Sequence, residues 1–422
     1  MNSSWKKKAM AFLACEGISL FGSSITSFAL VWYITLKTGS GKWFAALMIC
    51  SFIPQMLISF VSGVWADRYS KKVLIIAADG SIAVVTLILA LIIPQIGTDT
   101  ILFPLILAVA ALRSLGTGVQ MPAVNAVIPL LVPKNNLMRF NGINAAVQSA
   151  VQFAAPAAAG VVLSFSSLYV ALLIDVVTAI IGIAIFVCIR LPERAAGTNT
   201  DSAFTASSDA DEIRADRPDC MSHAAFTDLK QGLNYARTHS FIGILLLEYG
   251  MFIFLSCPVG FQCALYTSRN FGSTYWYLTA VEIVGFAGMA LGGIVIGAWG
   301  GFKKRTTTLL TGLVSFGLLT VGMGITPSFI VYLALMLILG IALTMIQTAT
   351  TTLIQECTAD DMQGRVFGFQ SIMYSGCLSL GMAVFGPLAD AVSMRLLVIV
   401  TGILIILLSA VTFSPFRKQA EV

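Results

Sequence analysis

Apolar runs recur along the whole chain, each closed by a short polar segment: 10–36, 43–66, 73–94, 101–130, 139–164, 168–190, 241–267, 274–300, 306–326, 329–354, 366–389 and 395–414. A helix needs about 20 apolar residues to cross the ~30 Å of hydrocarbon in a bilayer, and each run has that length. None alternates apolar with polar positions, as the strands of a membrane barrel do. The pattern predicts twelve membrane-spanning helices. The first run follows Lys6, Lys7 and Lys8 as a signal peptide would, yet continues without a cleavage site beyond the length of a signal core. It is expected to stay as a helix.

One interruption is longer than the rest. Residues 191–223 are rich in Ser, Thr, Ala and Asp and cannot build a core, which predicts a flexible linker. Beyond it, Phe226, Leu229, Leu233 and Ala236 recur at helical spacing, as in an amphipathic helix lying on a membrane surface. The division is residues 1–190 for one six-helix bundle, 191–240 for a cytoplasmic linker, and 241–422 for a second bundle. A shift of 226 positions lays Ile128, Arg139, Gly142 and Gly160 on Ile354, Arg365, Gly368 and Gly386. Such a repeat fits a duplicated six-helix unit. The expected fold class is an all-α membrane protein, with twelve transmembrane helices in two pseudo-symmetric six-helix bundles.

Composition adds the solvent and the orientation. Of 422 residues, 57% are hydrophobic and 11% charged, against about a quarter charged in soluble domains. Of 25 Lys and Arg residues, Arg113 lies inside a span, and Lys37, Lys42, Arg269 and Arg395 fall on one side. The other twenty fall on the opposite side, which the positive-inside rule makes cytoplasmic, together with both termini. The net charge of +5 therefore reflects topology and implies no nucleic-acid partner. The eight cysteines form no C-x-x-C or Cys/His cluster. The two histidines, His223 and His239, lie near the linker. No metal site, cofactor, nucleotide loop or nucleophile–base pairing is readable, so an enzyme is not expected.

Two features hold candidate chemistry. The loop GVWADRYSKK at 63–72 places Gly63, Asp67, Arg68, Lys71 and Lys72 between two spans. Asp67 can accept bonds from a helix N-terminus, and the basic residues can meet acids or lipid phosphates. The reading is a charged gate at the cytoplasmic face. Lys71 and Lys72 are equally accounted for by the inside-positive rule.

The second feature is charge inside the spans, which costs about 2.5–3.5 kcal/mol per residue on insertion scales. Glu16, Asp79, Arg113, Asp175, Glu248 and Glu282 are such residues. A buried carboxylate without a counter-charge takes up a proton, the property a proton carrier needs. Glu16 and Glu248 occupy matching positions of the first and seventh spans, and Glu282 lies beside Gly285, Gly288, Gly292 and Gly293. Each either titrates in a central cavity or bonds to a neighbouring helix. Arg113 stays protonated and needs an anion, for which Asp79 or one of the glutamates is the expected partner. The alternatives are an arginine that trades partners and a fixed ion pair. Asp175 and Asp79 are read as gating or structural charges.

GVWADRYSKK resembles the signature between the second and third helices of the major facilitator superfamily of secondary transporters. Arg113 in ALRSLGTG resembles its fourth-helix arginine motif. APAAAG at 155–160 and FGPLAD at 385–390 resemble weakened forms of its fifth-helix antiporter motif, with alanine for several glycines. Within the superfamily, residues 112–133, TAVEIVGFAGMALGG at 279–293 and LLIDVVTA around Asp175 are similar to macrolide-efflux (Mef-type) drug:proton antiporters.

The resemblance implies secondary active efflux of hydrophobic or amphiphilic small molecules across the cell membrane, by proton antiport and alternating access. Its partners would be a small-molecule substrate, protons and membrane lipids, and the chain would work as a monomer. Glu16, Arg113, Glu248 and Glu282 become the candidates for proton coupling or substrate binding. The alternative on the same fold is an importer, or a siderophore or lipid carrier.

Overall fold

A computed structural model describes residues 4–96, 99–133, 136–189, 237–358 and 362–419. The described residues hold twelve helices long and apolar enough to cross a membrane. They are α1 (Ser4–Thr38), α2 (Gly41–Arg68), α3 (Lys71–Ile92), α4 (Asp99–Leu131), α5 (Leu137–Phe165) and α6 (Leu168–Cys188), then α7 (Ser240–Asn270), α8 (Tyr275–Trp299), α9 (Arg305–Ile325), α10 (Phe329–Cys357), α11 (Gln363–Ala391) and α12 (Met394–Gln419). The amphipathic helix expected at the end of the linker falls largely outside the described residues.

Two helices differ from the hydropathy reading. The first starts at Ser4 and takes in Lys6, Lys7 and Lys8, since long cationic side chains reach past a membrane edge. The seventh is broken. It runs as α7a (Ser240–Ser256), passes through a π turn at Cys257–Phe261, and resumes as α7b (Cys263–Asn270). Pro258 has no N–H to give the helical ladder, and the Gln262 N–H reaches back to the Cys257 carbonyl at 3.0 Å. Such π bulges recur at functional positions in helices.

Packing repeats between the halves. The main pairs among the first six helices are α1·α5, α1·α6, α2·α4, α3·α4 and α3·α6. Among the last six they are α7a·α11, α7a·α12, α8·α10, α9·α10 and α9·α12. Adding six to each label of the first set gives the second. The main cross-pairs, α2·α11 and α5·α8, exchange under the same operation.

With twelve alternating helices, Ser4 and Gln419 lie on one side of the molecule, called here the near end. The other side, carrying residues 39–40 and 271–274, is the far end. The halves meet closely at the far end. A Cβ on Gly41 would collide with the Gly386 carbonyl, and one on Gly386 would strike Ala45. Gly160 likewise packs against Thr279. Lipid offers little hydrophobic drive between helices, so such small-residue contacts are what hold them together. One apolar core extends through both halves. A second, around Phe12, Val127, Phe140 and Phe186 at the near end, belongs to the first half alone.

Candidate functional site

Small residues bring four helices of the first half together around Arg113. Gly116 lets α4 lie against Ile82 of α3, and Gly22 lets α1 lie against Thr178 and the backbone of Asp175 on α6. The Arg113 guanidinium is thereby surrounded. It forms an ion pair with Asp175 and donates to the Thr86 hydroxyl through Nη1. Through Nη2 it donates to Ser23 Oγ at 2.9 Å. Thr86 Oγ1 lies 2.8 Å from the Ile82 carbonyl and 3.4 Å from Asp175 Oδ2. Both charged residues are buried, Asp175 at 1% exposure and Arg113 at 6%.

The expected partner of Arg113 was Asp79 or a glutamate; the structure gives Asp175 instead. The reason is register: Thr86 stands seven residues beyond Asp79 on α3, two turns farther along the same face, and Arg113 meets that level. Asp79 is buried and Glu16 half-buried. They lie close enough to act on one another electrostatically, and Asp79 likewise on Asp175. Neither Glu16 nor Asp79 has a hydrogen-bond or ion-pair partner among the described residues. Glu16 and Ser23 are also seven apart. The first half thus carries two tiers about 10 Å apart along the helix axes. The one toward the near end holds two unpaired acids, and the other holds the Arg113–Asp175 pair.

The second half is built differently. Glu248 on α7a is 2% exposed and accepts a bond from Thr412 Oγ1 on α12 at 2.9 Å. Its Oε2 has no hydrogen-bond partner among the described residues. Although it matches Glu16 in sequence position, it faces the α7a·α12 contact. Glu282 on α8 is half-buried, and Cys263 Sγ donates to its Oε1 at 3.5 Å. Cys263 is the first residue of α7b, directly after the π turn, so the break in the seventh helix positions the thiol. Beside it Gln262 is fully buried with its Oε1 unpaired. Tyr266 and Tyr332 stack above, with centroids 5.2 Å apart.

In the 63–72 loop, Lys72 donates from Nζ to the carbonyls of Val187 and Ile189 at 2.7 and 2.8 Å. A cation at the C-terminal end of a helix is favourably placed, and here it ties the start of α3 to the end of α6. Lys71 is half-exposed. Gly63, Asp67 and Arg68 belong to α2, but their side chains lie outside the described residues. Sequence reasoning did not single out Ser23, Thr86, Gln262 or Cys263. The run Cys257-Pro258-Val259-Gly260 carried a signal for the break that positions the last two; Ser23 and Thr86 carried none, since hydroxyl residues recur in every span.

The described residues contain no cluster suited to a metal ion. Macrolide efflux protein A of Streptococcus pyogenes is 25% identical over 411 residues, covering 97% of this chain and 96% of that protein. Multidrug efflux pump Tap of Mycobacterium bovis is 20% identical, over 100% of this chain and 98% of its own. Two solved structures share the fold. One is a bacterial homologue of the human lysosomal transporter Spinster in an inward-facing, unoccupied conformation, with TM-score 0.68 and 13% identity over 97% of this chain and 96% of that one. The other is a bacterial homologue of the iron transporter ferroportin in an inward-facing state, with TM-score 0.69 and 14% identity over 96% and 98%. The model of the Major Facilitator Superfamily matches residues 12–382, and with this match over most of its length the chain belongs to that superfamily of transporters.

Proposed function

We propose that the protein exports hydrophobic or amphiphilic small molecules in exchange for protons, by alternating access between the bundles 1–190 and 241–422. The observation that carries this reading is the two-tier charge group of the first half. Among the described residues, Glu16 and Asp79 stand without counter-charges, one tier from an arginine held by groups from three other helices. A proton arriving at the acid tier changes the electrostatic balance at the Arg113–Asp175 pair one tier away, and Arg113 exchanges partners in response. Because its partners belong to α1, α3 and α6, that exchange moves helices against one another. Each proton moved inward through 100 mV supplies about 2.3 kcal/mol.

The near end carries Lys6, Lys7, Lys8, Lys71, Lys72, Lys303, Lys304 and Arg305 and faces the cytoplasm on the positive-inside rule. Both termini are then cytoplasmic, and the conformation is closed outward. Half-buried Glu16 and Glu282 attract a cationic amphiphile entering from the cytoplasm or the inner leaflet. Glu248, packed against Thr412, acts through the α7a·α12 contact. The 63–72 loop is the gate that closes the near end in the opposite state. The similarity to macrolide and multidrug efflux proteins supports drug-like substrates. The protein works as a monomer in the cell membrane.

The test is drug uptake into everted vesicles under a proton gradient, with substrates chosen from a susceptibility panel in a hypersensitive strain. Glu16→Gln and Glu282→Gln are each expected to abolish gradient-driven uptake while the protein still reaches the membrane. Full transport by both variants would remove these residues from the coupling site.

A further inference from the structure

At the far end, Asp390 projects from α11 onto the start of α2 in the opposite half. Its carboxylate accepts bonds from the Ser40 hydroxyl at 2.7 Å, the Gly41 N–H at 2.6 Å and the Lys42 N–H at 3.1 Å. The first N–H groups of a helix lack partners within it, and α2 receives no cap from Ser40's own side chain. Asp390 is therefore the N-terminal cap of α2, supplied from about 350 residues away in sequence. Arg269 of α7b completes the arrangement. Its Nη2 lies 2.6 Å from Asp390 Oδ1, and it also donates to the carbonyls of Gly39 and Ala389. Gly39 adopts φ +57°, a left-handed conformation that suits glycine.

Beneath this group the α2·α11 seam is backbone against backbone. Gly41 meets the Gly386 carbonyl and Ala45 fills the next space, so α2 and α11 cannot part at this end while Asp390 keeps its bonds. Arg269 stands six residues after Cys263 on the same short helix. The clasp and the Cys263–Glu282 contact are therefore opposite ends of one rod, about 9 Å apart.

We propose that Asp390 and Arg269 are the positioning pair of the far-end gate. Their bonds to residues 39–42 hold the far end shut in the conformation open toward the near end, and they must break each time the far end opens. The proposal rests on the alternating-access reading. Its test reads opening directly and does not depend on whether any drug is moved.

Hydrogen–deuterium exchange is measured by mass spectrometry on the full chain in lipid nanodiscs, for wild type, Asp390→Asn, Arg269→Gln and the control Arg395→Gln. Arg395 bonds Asn270 within one half and takes no part in the bonds to Asp390. The clasp variants are expected to exchange about ten-fold faster at the far ends of α2, α5, α8 and α11, the shift matching one lost charge-assisted hydrogen bond. The near-end starts of α3 and α9 should exchange more slowly as that side closes. Faster exchange confined to the first turn of α2 would reduce Asp390 to a local cap and overturn the gate, as would no change in either variant. Should Asp390→Asn fail to fold, Arg269→Gln decides alone, since it keeps the capping carboxylate.

Discussion

Arg113 on α4 and Asp175 on α6 form a buried ion pair that Thr86 of α3 and Ser23 of α1 complete, so one guanidinium ties four helices of the first half together. Removing one member of such a pair leaves an uncompensated charge and costs about 3–5 kcal/mol, whereas replacing both by apolar residues of similar volume is often neutral. Structure and transport can therefore be separated. Asp175→Asn should lower thermal stability strongly in detergent. The double variant Arg113→Met with Asp175→Leu should recover most of that stability and still fail to transport. Recovery of transport in the double variant would make the pair purely structural.

Glu16 and Asp79 are expected to behave differently, because neither has a hydrogen-bond or ion-pair partner among the described residues. Glu16→Gln and Asp79→Asn are expected to unfold within about 1 kcal/mol of wild type, the range of substitutions that break no specific contact. Proton release on substrate addition to purified protein should be lost in at least one of them. Thermal unfolding and a pH-indicator dye give the two readouts.

Cys263 donates a thiol hydrogen bond to Glu282 Oε1 at 3.5 Å. Cys263→Ser keeps a donor and Cys263→Val removes it. The valine variant should change the apparent KM for drug uptake more than kcat, while serine remains close to wild type. Equal effects on both parameters in both variants would point to packing of the π turn instead.

The far-end seam predicts a contrast between glycines. Gly41→Ala places a Cβ on the Gly386 carbonyl, and forcing such contacts costs about 1–3 kcal/mol. That variant should fold but transport at least ten-fold more slowly in vesicles. At Gly80, within α3, an added Cβ meets nothing within 4 Å. Gly80→Ala should be neutral or stabilise by about 0.5–1 kcal/mol, since alanine loses less freedom than glycine on entering a helix. Both are checked by vesicle transport and thermal unfolding.

Much of this was legible without coordinates. The 226-residue repeat laid Gly160 on Gly386, and these two glycines lie in the α5·α8 and α2·α11 contacts, equivalent under the pseudo-symmetry. Matching by span position was less reliable: it aligned Glu248 with Glu16, yet Glu248 packs on Thr412 while Glu16 has no hydrogen-bond partner among the described residues. Position along a helix tells the depth of a residue, not the direction it faces. Asp390 lay in plain view within FGPLAD and Arg269 was read only as an outer-side charge, because nothing local joins them.

The chain alone determined the number of spans, the resemblance to its superfamily and the few charges inside the spans. Those properties are local: hydrocarbon thickness sets helix length, and a charge in hydrocarbon is costly whatever its neighbours. Only the tertiary structure decided that Arg113 pairs with Asp175, that the seventh helix breaks to bring Cys263 to Glu282, and that Asp390 caps a helix of the other half. Which helix faces meet depends on where small residues permit close approach on two helices at once, and that is a property of pairs far apart in sequence.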